Sequence, residues 1–171
     1  ENDEAKDEAI RGVTDKPHRV DAHEAWKTVD ECVAKVNWLE SQGVEFVEQP
    51  MPSDMLAEMA EVRKQVNLPL VADESVKSAL DIPQLSESFD GINIKIMKSG
   101  GLQEAIRMME LAKLYDMKIM LVCMVESSVA ISAAAALSPL AEWADLDGNL
   151  LLADDPYSGI AVEEGRLMVN D

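Results

Sequence analysis

The stretch from Leu70 to Lys98 narrows the folds open to this chain more than any other, because it reads as strand, helix, strand with a charge closing each strand. Leu70-Val71-Ala72 is an apolar run too short for a helix, and it stops at Asp73. Gly91-Ile92-Asn93-Ile94 is a second, β-branched run, and it stops at Lys95. Between them Val76, Leu80, Leu85 and Phe89 form a loose apolar stripe broken by Pro83, as a crossover helix covering two parallel strands requires. The body of a strand covered by helices is buried. An ionisable residue at its carboxyl end therefore says more than one on a helix surface.

The same unit recurs. An acidic helix is predicted over Asp3 to Val13, with Ala5, Ile10 and Val13 on its apolar side, before a short strand Arg19-Val20-Asp21. Trp26, Val29, Val33, Val36, Trp38 and Leu39 make a helical stripe closed by Gly43, followed by Val44-Glu45-Phe46-Val47 ending at Glu48. Met55, Leu56, Met59, Val62 and Val66 repeat the helical period ahead of Leu70. Beyond Gly100-Gly101 come a helix from Leu102 to Tyr115, with Leu102, Ile106, Met109, Leu111 and Leu114 as its apolar residues, a strand from Lys118 to Met124, a small-residue helix from Ser127 to Leu137, and Trp143-Ala144 leading to Asp145. The polar strand ends Asp21, Glu48, Asp73 and Lys95 are spaced by 27, 25 and 22 residues, about the length of a strand, a helix and two short turns. Six such units predict a parallel α/β chain, and their even spacing favours a (β/α) barrel over a doubly wound sheet. A full barrel needs eight strands. The expectation is thus a partial (β/α)8 TIM-type barrel of about six parallel strands, strands 3 to 8, forming one incomplete barrel domain over residues 1–171.

Charge and cysteine content limit the function classes. With 15 basic and 33 acidic residues the net charge is -18, which disfavours nucleic acid and anionic membranes as partners. The most apolar stretch, Ile119 to Leu140, is interrupted by Glu126 and rich in Ala and Ser, so it reads as strand plus buried helix, not as a membrane span. Cys32 and Cys123 have no metal-like spacing and make no disulfide framework, so a reduced, cytoplasmic setting is expected.

In a barrel the carboxyl ends of neighbouring strands converge on one mouth, which would bring Asp21, Glu48 and Asp73 within reach of one ion. Three hard oxygen donors without a Cys or His partner favour Mg²⁺, which also relieves their mutual repulsion. Each acid alone also suits a helix N-cap. Lys95 stands one strand further round, where a neighbouring divalent cation favours the neutral amine that a general base needs. Lys98 is a second candidate beside it, and reads more readily as a loop lysine or an ion-pair partner.

Val47-Glu48-Gln49-Pro50, Ala72-Asp73-Glu74-Ser75 and Asn93-Ile94-Lys95-Ile96-Met97-Lys98-Ser99-Gly100-Gly101 together resemble the barrel of the enolase superfamily, muconate-lactonising subgroup, along nearly the whole chain. The resemblance implies Asp21, Glu48 and Asp73 as Mg²⁺ ligands and Lys95 as the acid/base on one face of the substrate's α-carbon; enolase-superfamily sites pair a Lys or His base with Mg²⁺. Asp145-Leu146-Asp147-Gly148 is similar to the Asp-x-Asp by which dipeptide epimerases of the L-Ala-D/L-Glu type hold a substrate ammonium, and paired carboxylates suit a cationic amine; the same four residues also read as a turn. Glu126 matches a family acid near the mouth and could equally cap the following helix.

The implied function is Mg²⁺-dependent dipeptide epimerisation by α-proton abstraction and return through an ene-diolate, with a dipeptide as the small-molecule partner. An N-acylamino acid racemase or o-succinylbenzoate synthase of the same superfamily, or a non-catalytic barrel fragment, is the alternative. The chain departs from the family pattern in three ways. Asp21-Ala22-His23 stands where Asp-x-Asn is usual, and neither the second-strand Lys-x-Lys nor a capping domain is found in the sequence. A missing N-terminal portion, or another copy of the chain, is therefore expected to cover the barrel edge at Arg19 to Asp21.

Overall fold

The computed structural model describes residues 3–168, and contacts divide the chain into two compact units. The first comprises residues 1–75 with 87–89, and the second residues 76–86 with 90–171.

In the first unit α1 (Asp3–Arg11) precedes β1 (His18–Asp21), α2 (Val29–Ser41) precedes β2 (Val44–Glu48), and α3 (Leu56–Arg63) precedes β3 (Leu70–Ala72). The three strands are parallel and adjacent in chain order. Every residue of β2 except Glu45 is buried, as in a sheet with both faces covered. Helix α2 starts later than its apolar stripe suggests, because the Thr28 hydroxyl accepts the Glu31 N–H and sets the cap; Trp26 stays in the preceding loop. Cys32, Val36 and Leu39 are the side chains it buries. The apolar side expected of α1 is not its buried side. Ala5, Ile10 and Val13 are exposed, while Asp7 is buried in a short hydrogen bond with His18 of β1.

In the second unit the segment before β4 (Gly91–Lys95) is not the crossover helix that its stripe predicts. It is a 3-10 turn at Ala79–Asp81 leading into the one-turn helix α4 (Ile82–Leu85). Pro83 sits at the start of α4, where its missing N–H costs nothing, and the Asp81 carboxylate closes the preceding turn through the N–H groups of Lys77 and Ser78. Val76, Leu85 and Phe89 are buried, but Leu80 is 88% exposed. After β4 come α5 (Ile96–Ser99), α6 (Leu102–Leu114), β5 (Lys118–Val122), α7 (Ser128–Leu137) and β6 (Trp143–Asp145), with β4, β5 and β6 parallel and adjacent in that order. Helix α6 buries Ala105, Met108, Met109 and Ala112 and leaves Leu102, Ile106 and Leu114 exposed. Two alanines and two methionines are thus the residues that it buries.

The last described elements form an antiparallel hairpin, β7 (Ala161–Glu163) and β8 (Arg166–Met168), turned by Glu164 and Gly165 at φ 49 and 75, the two positive values that a tight two-residue hairpin turn needs. The segment before it is tied to α7. Asp155 accepts the Ser128 N–H at 2.6 Å, and this bond holds its carboxyl below the usual range; Gly159 lies so close to Ser128 that a Cβ there would come within 2.3 Å of backbone. The α/β class and the six parallel strands, three in each unit, are those predicted by the spacing. Among the described residues no helix is long and apolar enough to cross a membrane.

Candidate active site

The candidate residues lie at strand ends in both units. In the first, Asp21 closes β1 and Glu48 closes β2, and the two are partners in register, so their side chains leave the sheet on the same face. Glu48 is in turn level with Val71 of β3, which puts Asp73 two residues further along the same row, just past the strand. Glu48 and Asp73 are buried, at 6% and 4% exposure, and Asp21 is exposed.

What holds the last two in place is Gln49, whose role the sequence reading misses. Gln49 is fully buried and its backbone is left-handed, at φ 34. Its side-chain oxygen accepts the N–H of Asp73 at 2.9 Å and of Ser75 at 3.2 Å. Its side-chain nitrogen donates to the Met51 carbonyl at 2.9 Å and to the Ser75 hydroxyl at 2.8 Å. The backbone N–H of Gln49 reaches Val71 O, and its carbonyl accepts the N–H of Glu24 from the loop after β1. The side-chain amide thus ties the loops after β2 and β3 together, and the backbone carbonyl of the same residue adds the loop after β1. The signal in the sequence was a polar residue wedged between a buried strand and Pro50.

The donor set of Asp21, Glu48 and Asp73 is all carboxylate, which fits a hard, oxygen-seeking Mg²⁺ and no soft metal. Two of the three are carboxylates kept from water, which a divalent cation compensates. Among the described residues no three Asp, Glu, His or Cys side chains are drawn together into a ready-made metal cluster. Both thiols are held in their neutral form. Burial pushes Cys32 up to about 12, with the Glu31 charge adding to it, and burial followed by the surrounding carboxylates raises Cys123.

In the second unit Lys95 closes β4, Val122 closes β5 and Asp145 closes β6, and the three are successive register partners in one row. Lys95 and Asp145 therefore project from the same face, two strand spacings or about 10 Å apart at the backbone. Leu146 is buried at 5%, and alternation about it turns Asp145 and Asp147 outward together. Gly148 is required less for its turn than for its closeness to the loop after β5, since a Cβ would fall 2.0 Å from Met124 O. Lys98 lies half-buried in α5 instead of in a loop. Glu126 is buried and accepts the Met124 N–H at 2.7 Å, so one of its oxygens serves its own loop.

A family model described as enolase C-terminal domain-like matches residues 1–171. The chain is 44% identical to the L-Ala-D/L-Glu epimerase of Bacteroides thetaiotaomicron over all of its own length and 45% of that protein. Among solved structures it resembles a substrate-liganded complex of the L-Ala-D/L-Glu epimerase from Bacillus subtilis, with a TM-score of 0.91 and 30% identity over 98% of this chain and 49% of that one. It also resembles a dipeptide epimerase from Enterococcus faecalis V583 complexed with Mg and L-Leu-L-Tyr, with a TM-score of 0.86 and 35% identity over 93% and 47% of the two chains. The chain spans about half the length of the relatives it matches.

Proposed function

Because the chain belongs to the enolase C-terminal domain-like family, we propose that it is the barrel portion of a Mg²⁺-dependent dipeptide epimerase, an isomerase that inverts the α-carbon of the substrate's carboxyl-terminal residue. The observation that carries this reading is the row Lys95, Val122, Asp145, which sets a lysine and an aspartate on one face of one set of strand ends; we read them as the amine base and an ammonium-binding acid. A dipeptide offers the matching pair of groups. Its N-terminal ammonium lies about 5 Å from the second α-carbon, a span that the Lys95 side chain and two aspartates can bracket across about 10 Å of backbone.

In this reading Asp21, Glu48 and Asp73 hold Mg²⁺. When bound, the ion neutralises the substrate carboxylate next to the reacting carbon and makes the α-proton acidic. Asp145 and Asp147 take the ammonium and fix the dipeptide's direction, with Lys98 and Glu126 facing the rest of the substrate. Lys95 accepts the α-proton on its amine while the bonding pair stays with the substrate, and it returns a proton to the same face. The acid/base for the opposite face belongs to the portion of the whole protein that the relatives have and this chain does not span. Two unpaired cysteines suit the reducing cytoplasm.

The ammonium assignment separates an epimerase of free dipeptides from a racemase of N-acylated amino acids. Calorimetry on the Asp145→Asn/Asp147→Asn double variant should give about tenfold weaker binding of L-Ala-L-Glu in the presence of Mg²⁺, from the loss of charge-assisted hydrogen bonds worth about 1.5 kcal/mol or more. Binding of the N-acetylated dipeptide should be unchanged. Equal losses for both ligands would count against the assignment.

A further inference from the structure

The chain leaves β1 through Asp21-Ala22-His23-Glu24, and it does so at a cost. His23 and Glu24 are consecutive non-glycine residues in the left-handed region, at φ 46 and 59, a conformation that costs on the order of 1 kcal/mol or more at each. The turn is held by its neighbours. The Ala22 N–H donates to Glu48 O at 2.9 Å, the Glu24 N–H to Gln49 O at 2.8 Å, and the Ser53 N–H to the Glu24 carboxylate at 2.6 Å.

The outcome of this over-determined turn is the aim of one imidazole. The His23 backbone N–H donates to Asp21 Oδ1 at 2.8 Å, and its ring Nε2 lies 3.1 Å from Asp21 Oδ2. On the other side of the ring, Nδ1 lies 3.7 Å from Oε1 of Glu74, the residue directly after Asp73. The His23 side chain is 73% exposed, so its placement follows from these two carboxylates and not from packing.

We propose that His23 is a positioning residue for the metal centre, orienting the Asp21 carboxylate for Mg²⁺ from the side facing Glu74; this rests on the reading of Asp21 as a ligand. The ring and the backbone N–H approach different oxygens of the carboxylate, and two such approaches restrict its rotation. Asp21 is the exposed member of the trio, so it has the most rotational freedom to lose on binding.

The test uses Mn²⁺ alone as a probe, with free Mn²⁺ counted by electron paramagnetic resonance during titration of the whole protein. His23→Ala keeps the backbone bond to Asp21 and removes the ring, and should weaken Mn²⁺ binding about tenfold. His23→Gln places a donor at similar reach and should restore affinity to within about threefold of the native chain. Both variants should unfold at the native temperature, since neither touches the core. Asp21→Asn should abolish binding. If His23→Ala binds as the native chain does while Asp21→Asn does not, the positioning role is overturned and the ligand stands. A Gln variant as weak as the Ala variant also overturns it. A native chain that binds no Mn²⁺, or an Asp21→Asn variant that binds normally, removes the ligand reading and the role of His23 with it.

Discussion

Replacing Lys95 by Met is expected to slow solvent-deuterium exchange at the α-carbon of the second residue of L-Ala-L-Glu or L-Ala-D-Glu by about 10²- to 10⁴-fold, the usual contribution of a positioned base. The measurement is proton NMR in heavy water on the whole protein with Mg²⁺ supplied. The argument begins in β4, whose residues Gly91 to Ile94 are buried. Gly91 lets β5 approach so closely that a Cβ would sit 2.9 Å from Lys118 O, and the five register pairs from Gly91 to Lys95 hold the strand firmly against β5. Lys95 is the last of these pairs, in extended backbone at φ -115 and ψ 115, before the chain turns into α5. A base on the end of a rigid, buried strand is held more accurately than one on a loop. Methionine keeps most of the apolar stem and removes the amine, so unfolding midpoint and dipeptide affinity should not change. Because a second base serves the opposite face, the loss should fall on one of the two epimers, and exchange at the native rate from both in Lys95→Met would show that another group moves the proton.

Gln49→Met is expected to cost about 2–4 kcal/mol of stability, read as a lower midpoint in urea unfolding. Methionine fills nearly the same volume and has no strong donor or acceptor. The N–H groups of Asp73 and Ser75 and the carbonyl of Met51 would then be left in a buried setting without the partner each has now. Each such orphan costs about 1–3 kcal/mol, and relaxation of the loops recovers part of the sum. Asp73 loses the bond that places its backbone, so Mg²⁺ affinity should fall together with stability. A Gln49→Met chain of native stability would mean that the loops after β2 and β3 are held by other contacts.

Strand ends are legible in this sequence because the strands are buried on both faces. In Val44 to Glu48 and Gly91 to Lys95 an apolar or β-branched run is cut off by a charge, and a buried strand has few other reasons to carry one. Helix faces are less legible. In α6 the large side chains Leu102, Ile106 and Leu114 suggest the buried side, but close packing selects Ala105 and Ala112 beside Met108 and Met109. Hydrophobicity ranks size, while a close approach rewards smallness. The segment from Val76 to Phe89 keeps three of its four apolar anchors buried without forming the helix they suggest, because Ser78 and Asp81 cap a tight turn and Pro83 starts a new one. Asp7 and Gln49 were beyond reach for a different reason. A buried polar side chain is acceptable only once its partners are known, and those partners are distant in sequence: His18 for Asp7, and Asp73 and Ser75 for Gln49.

The central claim is that Asp21, Glu48 and Asp73 share one divalent cation, and calorimetric titration of Mg²⁺ into the chain tests it most directly. One equivalent should bind to the native chain, and each of Asp21→Asn, Glu48→Gln and Asp73→Asn should lose that binding while remaining folded by circular dichroism. Binding that survives any of the three substitutions unchanged, or a native chain that takes up no Mg²⁺, would contradict it.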